Sequence, residues 1–179
     1  MSETMSPPEP AQGAVLELSL VNDLRELARV AAAIEEFCTQ HGLGSQLAYT
    51  LNLSVDEILS FSIENSFEGD EPQRIELALY QDPDELLILI AHAGQPLPTA
   101  QIPSSAAELI LDDSNLEQLG LALVLRVMDT VSVQRQQGCN VVAMTKQIPQ
   151  NQEDKSQEDQ DQEDKSQENQ SQGEQNQDD

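Results

Sequence analysis

The chain has 179 residues, 38% of them apolar, and 33 acidic against 8 basic side chains, for a formal charge of −25. That length can bury one core, the sign of the charge is opposite to what a nucleic-acid reader needs, and no apolar run approaches the roughly eighteen residues of a membrane span. Cys38 and Cys139 lie far apart with no Cys-x-x-Cys spacing, so neither a zinc site nor a disulfide framework is suggested, and a reducing cytoplasm is the expected location.

Residues 1–13 contain Pro7, Pro8 and Pro10 and lack a charged n-region or apolar h-region, which predicts a disordered N-terminus rather than a signal peptide. From Ala14 to Leu20 apolar and polar side chains alternate as in a half-buried strand. Asn22 is placed to cap a helix whose apolar positions Leu24, Leu27, Ala31, Ile34 and Phe37 or Cys38 follow the helical period up to Gly42. Ser45 is placed to cap a second helix that runs from about Gln46 to Phe67.

In this second helix Leu51, Val55, Ile58, Leu59, Ser62 and Ile63 recur at i, i+3, i+4 and i+7 spacing, one buried stripe of an amphipathic helix. Glu57, Phe61 and Asn65 are four apart and stack in a line beside that stripe, about 6 Å per step. A carboxylate in such a row, bordering a core, is a candidate site.

Two strands follow, Arg74 to Tyr80 and Leu86 to His92, joined by the turn Asp82, Pro83 and Asp84 as an antiparallel hairpin. After the turn His92 to Pro98 come some twenty residues with only a weak helical pattern near Ala106 to Leu111, a length associated with lids, binding loops or disorder. Leu119 to Met128 is apolar on nearly all sides and is expected to be buried, and its start at Gly120 leaves backbone amides able to face an anion. Thr130 to Arg135 and Asn140 to Ile148, turning at Gln137 and Gly138, are the closing strands. Residues 150–179 hold eleven acidic residues, two lysines and no large apolar one, in the repeat QEDKSQEDQD then QEDKSQENQS. Such a tail cannot offset its ordering entropy and is expected to be disordered. The domain at 14–149 has twenty acidic and six basic residues, an acidity that solubility alone accounts for. The order β-α-α-β-β-lid-α-β-β predicts an α+β fold: a two-layer sandwich with helices packed on one face of a mixed, mainly antiparallel sheet.

The helix Leu53 to Phe67, the turn His92 to Pro98 and the helix Leu119 to Asp129 leading into the final hairpin, in this order and spacing, resemble the anti-sigma-factor serine/threonine kinases. These are the partner-switching branch of the ATPase superfamily shared with histidine kinases, gyrase-type topoisomerases and Hsp90, and the similarity covers about Leu16 to Ile148. The resemblance implies a catalytic glutamate at Glu57. It also implies, at Phe61, an asparagine that holds Mg²⁺. An aspartate that accepts from the adenine amino group would stand at His92, with Gly94 making room for the ring two residues on. A Gly-x-Gly against the phosphates would stand at Gln118 and Gly120. Glu57, Gly94 and Gly120 keep the pattern; Phe61 has no oxygen for a hard cation, His92 is neutral at pH 7, and Gln118 loses glycine's freedom.

Losing three contacts at roughly 1 to 3 kcal/mol each takes a micromolar site into the millimolar range. The expectation is a degenerate member: a regulator that binds a sigma-factor-like or anti-anti-sigma (STAS) protein through the helix and sheet edge near residues 22–41. It would have no cofactor, resident metal, nucleic-acid or membrane partner, and a homodimer is possible, as in the family. The alternative is an active ATP- and Mg²⁺-dependent serine/threonine kinase with altered ligands. Simpler roles stand beside these: Glu57 as a solvated carboxylate, Phe61 as core filling, His92 as an ordinary hydrogen-bonded histidine and Asn65 as a surface or capping residue.

Overall fold

The computed structural model describes residues 14–69, 71–98 and 116–149, with backbone alone at 116–119. The repeat tail, residues 1–13 and the long connection after Pro98 lie outside the described residues. The elements are β1 (Leu16–Val21), α1 (Glu26–Gln40), α2 (Ser45–Ser66), β2 (Arg74–Gln81), β3 (Glu85–His92), α3 (Leu116–Val127), β4 (Thr130–Gln136) and β5 (Cys139–Gln147). None of these helices is long and apolar enough to cross a membrane.

Both expected helix caps are replaced by other devices. Arg25, not Asn22, stands at the N-cap of α1 and makes no side-chain cap bond. Asn22 Oδ1 instead accepts Gln73 N at 2.8 Å while its Nδ2 donates to Glu71 O at 3.4 Å, so one amide ties the end of β1 to the approach of β2. Asp23 Oδ1 accepts the Arg25 amide at 2.9 Å and makes the turn into α1. Ser45 is the first residue of α2, and Gly44 holds the N-cap position at φ 76°, ψ 154°, a conformation open to glycine and strained for other residues. Helix α1 closes with Gly42 in the left-handed region at φ 64°, the Gly42 amide donating to Thr39 O and the Leu43 amide to Cys38 O.

The five strands pair in the order β1-β2-β3-β5-β4. Every pairing is antiparallel, where a mixed sheet was expected, because each of the two hairpins pairs internally and β5 returns alongside β3 in the opposite sense. Gln137 and Gly138 turn the last hairpin at φ 50° and 86°, the two positive angles of a type I′ turn. Helix α2 packs between α1 and α3. Its residues Leu51, Val55, Ile58 and Leu59 join Ile75, Leu77, Leu79, Leu86, Ile88, Ile90 and Met144 in a fully buried core. The register aligns Leu20, Ile75, His92, Asn140 and Arg135 as one row across the sheet. Alternation of side chains puts this row on the same face as the core residues Ile90 and Val142.

Helix α3 is not buried all round. Leu121, Ala122 and Val124 are buried, as is Met128 just beyond the helix, but Leu123 is 39% exposed, because a helix on one side of a two-layer sandwich has only one face to hide. Leu121→Ala should therefore cost about 2 to 5 kcal/mol and Leu123→Ala less than about 1 kcal/mol in urea unfolding. Equal costs would place α3 elsewhere.

Candidate nucleotide-type site

The line Glu57, Phe61, Asn65 runs along α2, and the structure gives each member a different environment. Glu57 is half-buried, and its carboxylate lies directly over Gly120 of α3: a Cβ there would stand 2.6 Å from Glu57 Cδ and overlap Oε2. The bare Gly120 backbone thus makes the space for the carboxylate, joining two positions 63 residues apart in the chain. Burial, with help from Asp56 and Glu64, raises the Glu57 carboxyl above its ordinary pKa. Phe61 is buried at 6% exposure and belongs to the hydrophobic core. Asn65, half-buried, donates through Nδ2 to Phe61 O at 2.9 Å, an internal helix contact. Gln118 lies in the first turns of α3, two residues before Gly120.

At the far end of α2 the turn after β3 is clamped from two sides. The Gln95 amide donates to Ser66 O at 2.7 Å, and a Cβ on Gly94 would meet that oxygen at 2.5 Å and the Phe67 ring at 3.1 Å. Gly94 is required here by the close approach of turn and helix, quite apart from any ligand. From the sheet, Asn140 Nδ2 donates to Gln95 O at 2.8 Å, and its Oδ1 accepts from the Leu97 amide at 3.3 Å and from Arg135 Nη1 at 3.0 Å. Arg135 Nη1 also donates to Gly94 O at 3.0 Å. An open cavity of about 350 Å³ lies against this turn, with Ser66, Gly94, Gln95 and Arg135 in its wall.

His92 sits beneath that turn, 3% exposed, its ring 5.1 Å from the Phe67 ring. The two bonds accepted by Asn140 Oδ1 fix which end of the amide is the donor, so Asn140 Nδ2, 3.4 Å away, faces His92 Nδ1 as an acceptor and the ring proton falls on Nε2. Nε2 has no hydrogen-bond partner among the described residues, nor do the buried hydroxyls of Ser62 and Ser66. Burial, reinforced by the Arg135 charge, lowers the His92 pKa to about 4. The candidate positions therefore form two groups on α2: Glu57 with Gly120 at its middle, and His92 with Gly94 at its C-terminal end.

Asn140 and Arg135 organise this second group, and the sequence offered no sign of it. Asn140 reads as an ordinary strand start, and only the register of β5 on β3 and β4 brings it under the turn.

Residues 20–146 match the family model of the histidine kinase-like ATPase domain. A serine/threonine-protein kinase, BtrW of Bordetella bronchiseptica, is 30% identical over 112 residues, 63% of this chain and 79% of the relative. The SiaB–SiaC complex of Pseudomonas aeruginosa has the same fold, with a TM-score of 0.56 at 11% identity over 75% of this chain and 90% of that one. So does the RsbU and RsbW domain structure of Rv1364c from Mycobacterium tuberculosis, with a TM-score of 0.50 at 13% identity over 73% of this chain and 32% of that longer one. The chain belongs to the histidine kinase-like ATPase family and, within it, to the anti-sigma-factor serine/threonine kinases.

His92 gives this site a pH signature. The unfolded ring titrates near 6.5 and the folded one at about 4, so below pH 6.5 the unfolded state binds the extra proton. Stability contributed by the neutral ring is complete above pH 6.5 and is lost as pH falls towards 4. Between pH 7 and 5 the wild type should lose about 2 kcal/mol more than His92→Asn, measured by urea unfolding of both proteins at the two pH values. Parallel pH profiles would show that His92 is not held neutral.

Proposed function

We propose that the protein regulates a partner-switching system by binding a protein partner, of sigma-factor or anti-anti-sigma (STAS) type, without phosphorylating it. The observation that carries this reading is Phe61: at the position where the family's asparagine would offer an oxygen to Mg²⁺, an aromatic ring is packed into the core. Mg²⁺ demands oxygen ligands in near-octahedral array, and a phenyl ring supplies none.

Two further features support it. Where an aspartate would accept from an adenine amino group stands His92, a buried neutral imidazole that has no carboxylate oxygen to offer. The domain's charge adds to the difficulty, since a triphosphate without its bridging cation would enter an acidic chain of formal charge −25. The residues present do not fit a Mg-nucleotide. Kinship with a named serine/threonine-protein kinase, and likeness to a two-protein SiaB–SiaC complex, support a protein as the object of this surface.

The second reading, an active kinase, is favoured by kinship with a serine/threonine-protein kinase and by the retained Glu57, Gly94 and Gly120, Glu57 lying against Gly120 with a raised pKa as a general base requires. Calorimetry separates the two. Titration with Mg·ATP should show no site tighter than about 1 mM, near −4 kcal/mol, and the triple change Phe61→Asn, His92→Asp, Gln118→Gly should move affinity towards the micromolar range. A wild-type dissociation constant of tens of micromolar, or phosphate transfer to a partner abolished by Glu57→Ala, would restore the kinase.

A further inference from the structure

Asn140 is a buried carboxamide, with two N–H donors and two carbonyl lone pairs to satisfy. All four are used: Nδ2 donates to Gln95 O at 2.8 Å and to His92 Nδ1 at 3.4 Å, and Oδ1 accepts from the Leu97 amide at 3.3 Å and from Arg135 Nη1 at 3.0 Å. The side chain has no capacity left for a ligand.

Its position matters as much as its bonding. An aspartate at position 92 would accept the amino group of a purine ring; in this chain the amino group that reaches residue 92 belongs to Asn140, the residue directly opposite on β5. The turn beside it is closed by the same side chain. Gln95 O and the Leu97 amide go to Asn140, Gly94 O goes to Arg135 and the Gln95 amide goes to Ser66 O, so four backbone groups between residues 94 and 97 already have partners. Pro96 has no amide to offer. A ring approaching His92 has to displace the Asn140 amide, and that strands the amide of buried Leu97. One new bond to residue 92 does not make up for the bonds given up at Gln95, Leu97 and Arg135.

We propose that Asn140 is an internal occupant of the ring-binding end of this site, an autoinhibitory contact in which the chain's own amide stands where a ligand's amino group would and holds the turn shut. Arg135, exposed on β4, is a positioning residue for it, since Nη1 bonds both Asn140 Oδ1 and Gly94 O. The proposal rests on the regulatory reading and deepens it: Phe61 removes the metal ligand, and Asn140 closes the place of the base.

The test uses the full chain, labelled with ¹⁵N, and two phosphate-free probes: 4-aminopyrimidine, which carries the amino edge of adenine, and pyrimidine, which lacks it. The wild type should show no saturable shifts at residues 92–97 with either probe. Asn140→Ala should show them, with 4-aminopyrimidine bound at least about fivefold more tightly than pyrimidine. Arg135→Ala changes an exposed side chain and leaves the core intact; by loosening Asn140 it should speed hydrogen exchange of the Leu97 amide about tenfold. A folded Asn140→Ala that binds no better than the wild type, equal binding of the two probes, or an unchanged Leu97 exchange rate in Arg135→Ala would overturn the proposal, and the last of these decides the matter if Asn140→Ala does not fold. The regulatory reading fails on separate results, a tight Mg·ATP site in the wild type or phosphate transfer to a partner, so the two failures are distinguishable.

Discussion

The arrangement depends on how closely the turn after β3 approaches the C-terminal end of α2. Gly94 has no room for a side chain against Ser66 O and Phe67, and the Gln95 amide is bonded to that same carbonyl. The C-terminal end of β3, which enters this turn at His92, is thereby tied to the C-terminal end of α2. Its partners β2 and β5 then take the register that lines up Ile75, His92, Asn140 and Arg135. Asn140 secures the turn from the other side with its full carboxamide, satisfying the backbone of Gln95 and Leu97 in a setting where an unmet polar group costs about 1 to 3 kcal/mol. These backbone groups are thus engaged by Asn140 and Arg135 within the fold.

Electrostatics follow from that placement. His92 is neutral because it is buried beside Arg135, and it offers its one proton at Nε2. Glu57 is pushed the other way, towards protonation, by burial and by two neighbouring carboxylates. The chain has few cations to balance such groups, and those on the helices are engaged at the surface of α1 or lie at the end of α3. An acidic regulator of this kind is better suited to a cationic protein surface than to a polyphosphate.

The fold was legible because its signals are periodic. The i, i+3, i+4 stripe of α2 and the alternation in β2 and β3 each fix which side chains enter the core, and the order of elements fixes the two layers. Local chemistry was less legible. Asn22 and Ser45 are good capping residues by type, yet tertiary contacts claimed the first and Gly44 took the place of the second. The apolar run in α3 concealed an exposed Leu123, since a run whose one polar residue, Arg126, stands near its end gives almost no phase. For the candidate site, the resemblance named Glu57, Phe61, His92, Gly94, Gln118 and Gly120, but the contact of Glu57 with Gly120 and the bonds of Asn140 and Arg135 arise only from packing between distant segments.

The central claim is that this fold signals by binding and that nucleotide no longer biases it. A ligand with no differential affinity for two states cannot shift their balance. The most direct measurement is the dissociation constant for the protein partner isolated with the chain from its native cell, taken with and without millimolar Mg·ATP at fixed ionic strength. The account predicts values that agree within about twofold. A change of about tenfold or more, near 1.4 kcal/mol of coupling, would contradict it and show that a nucleotide site still governs the protein.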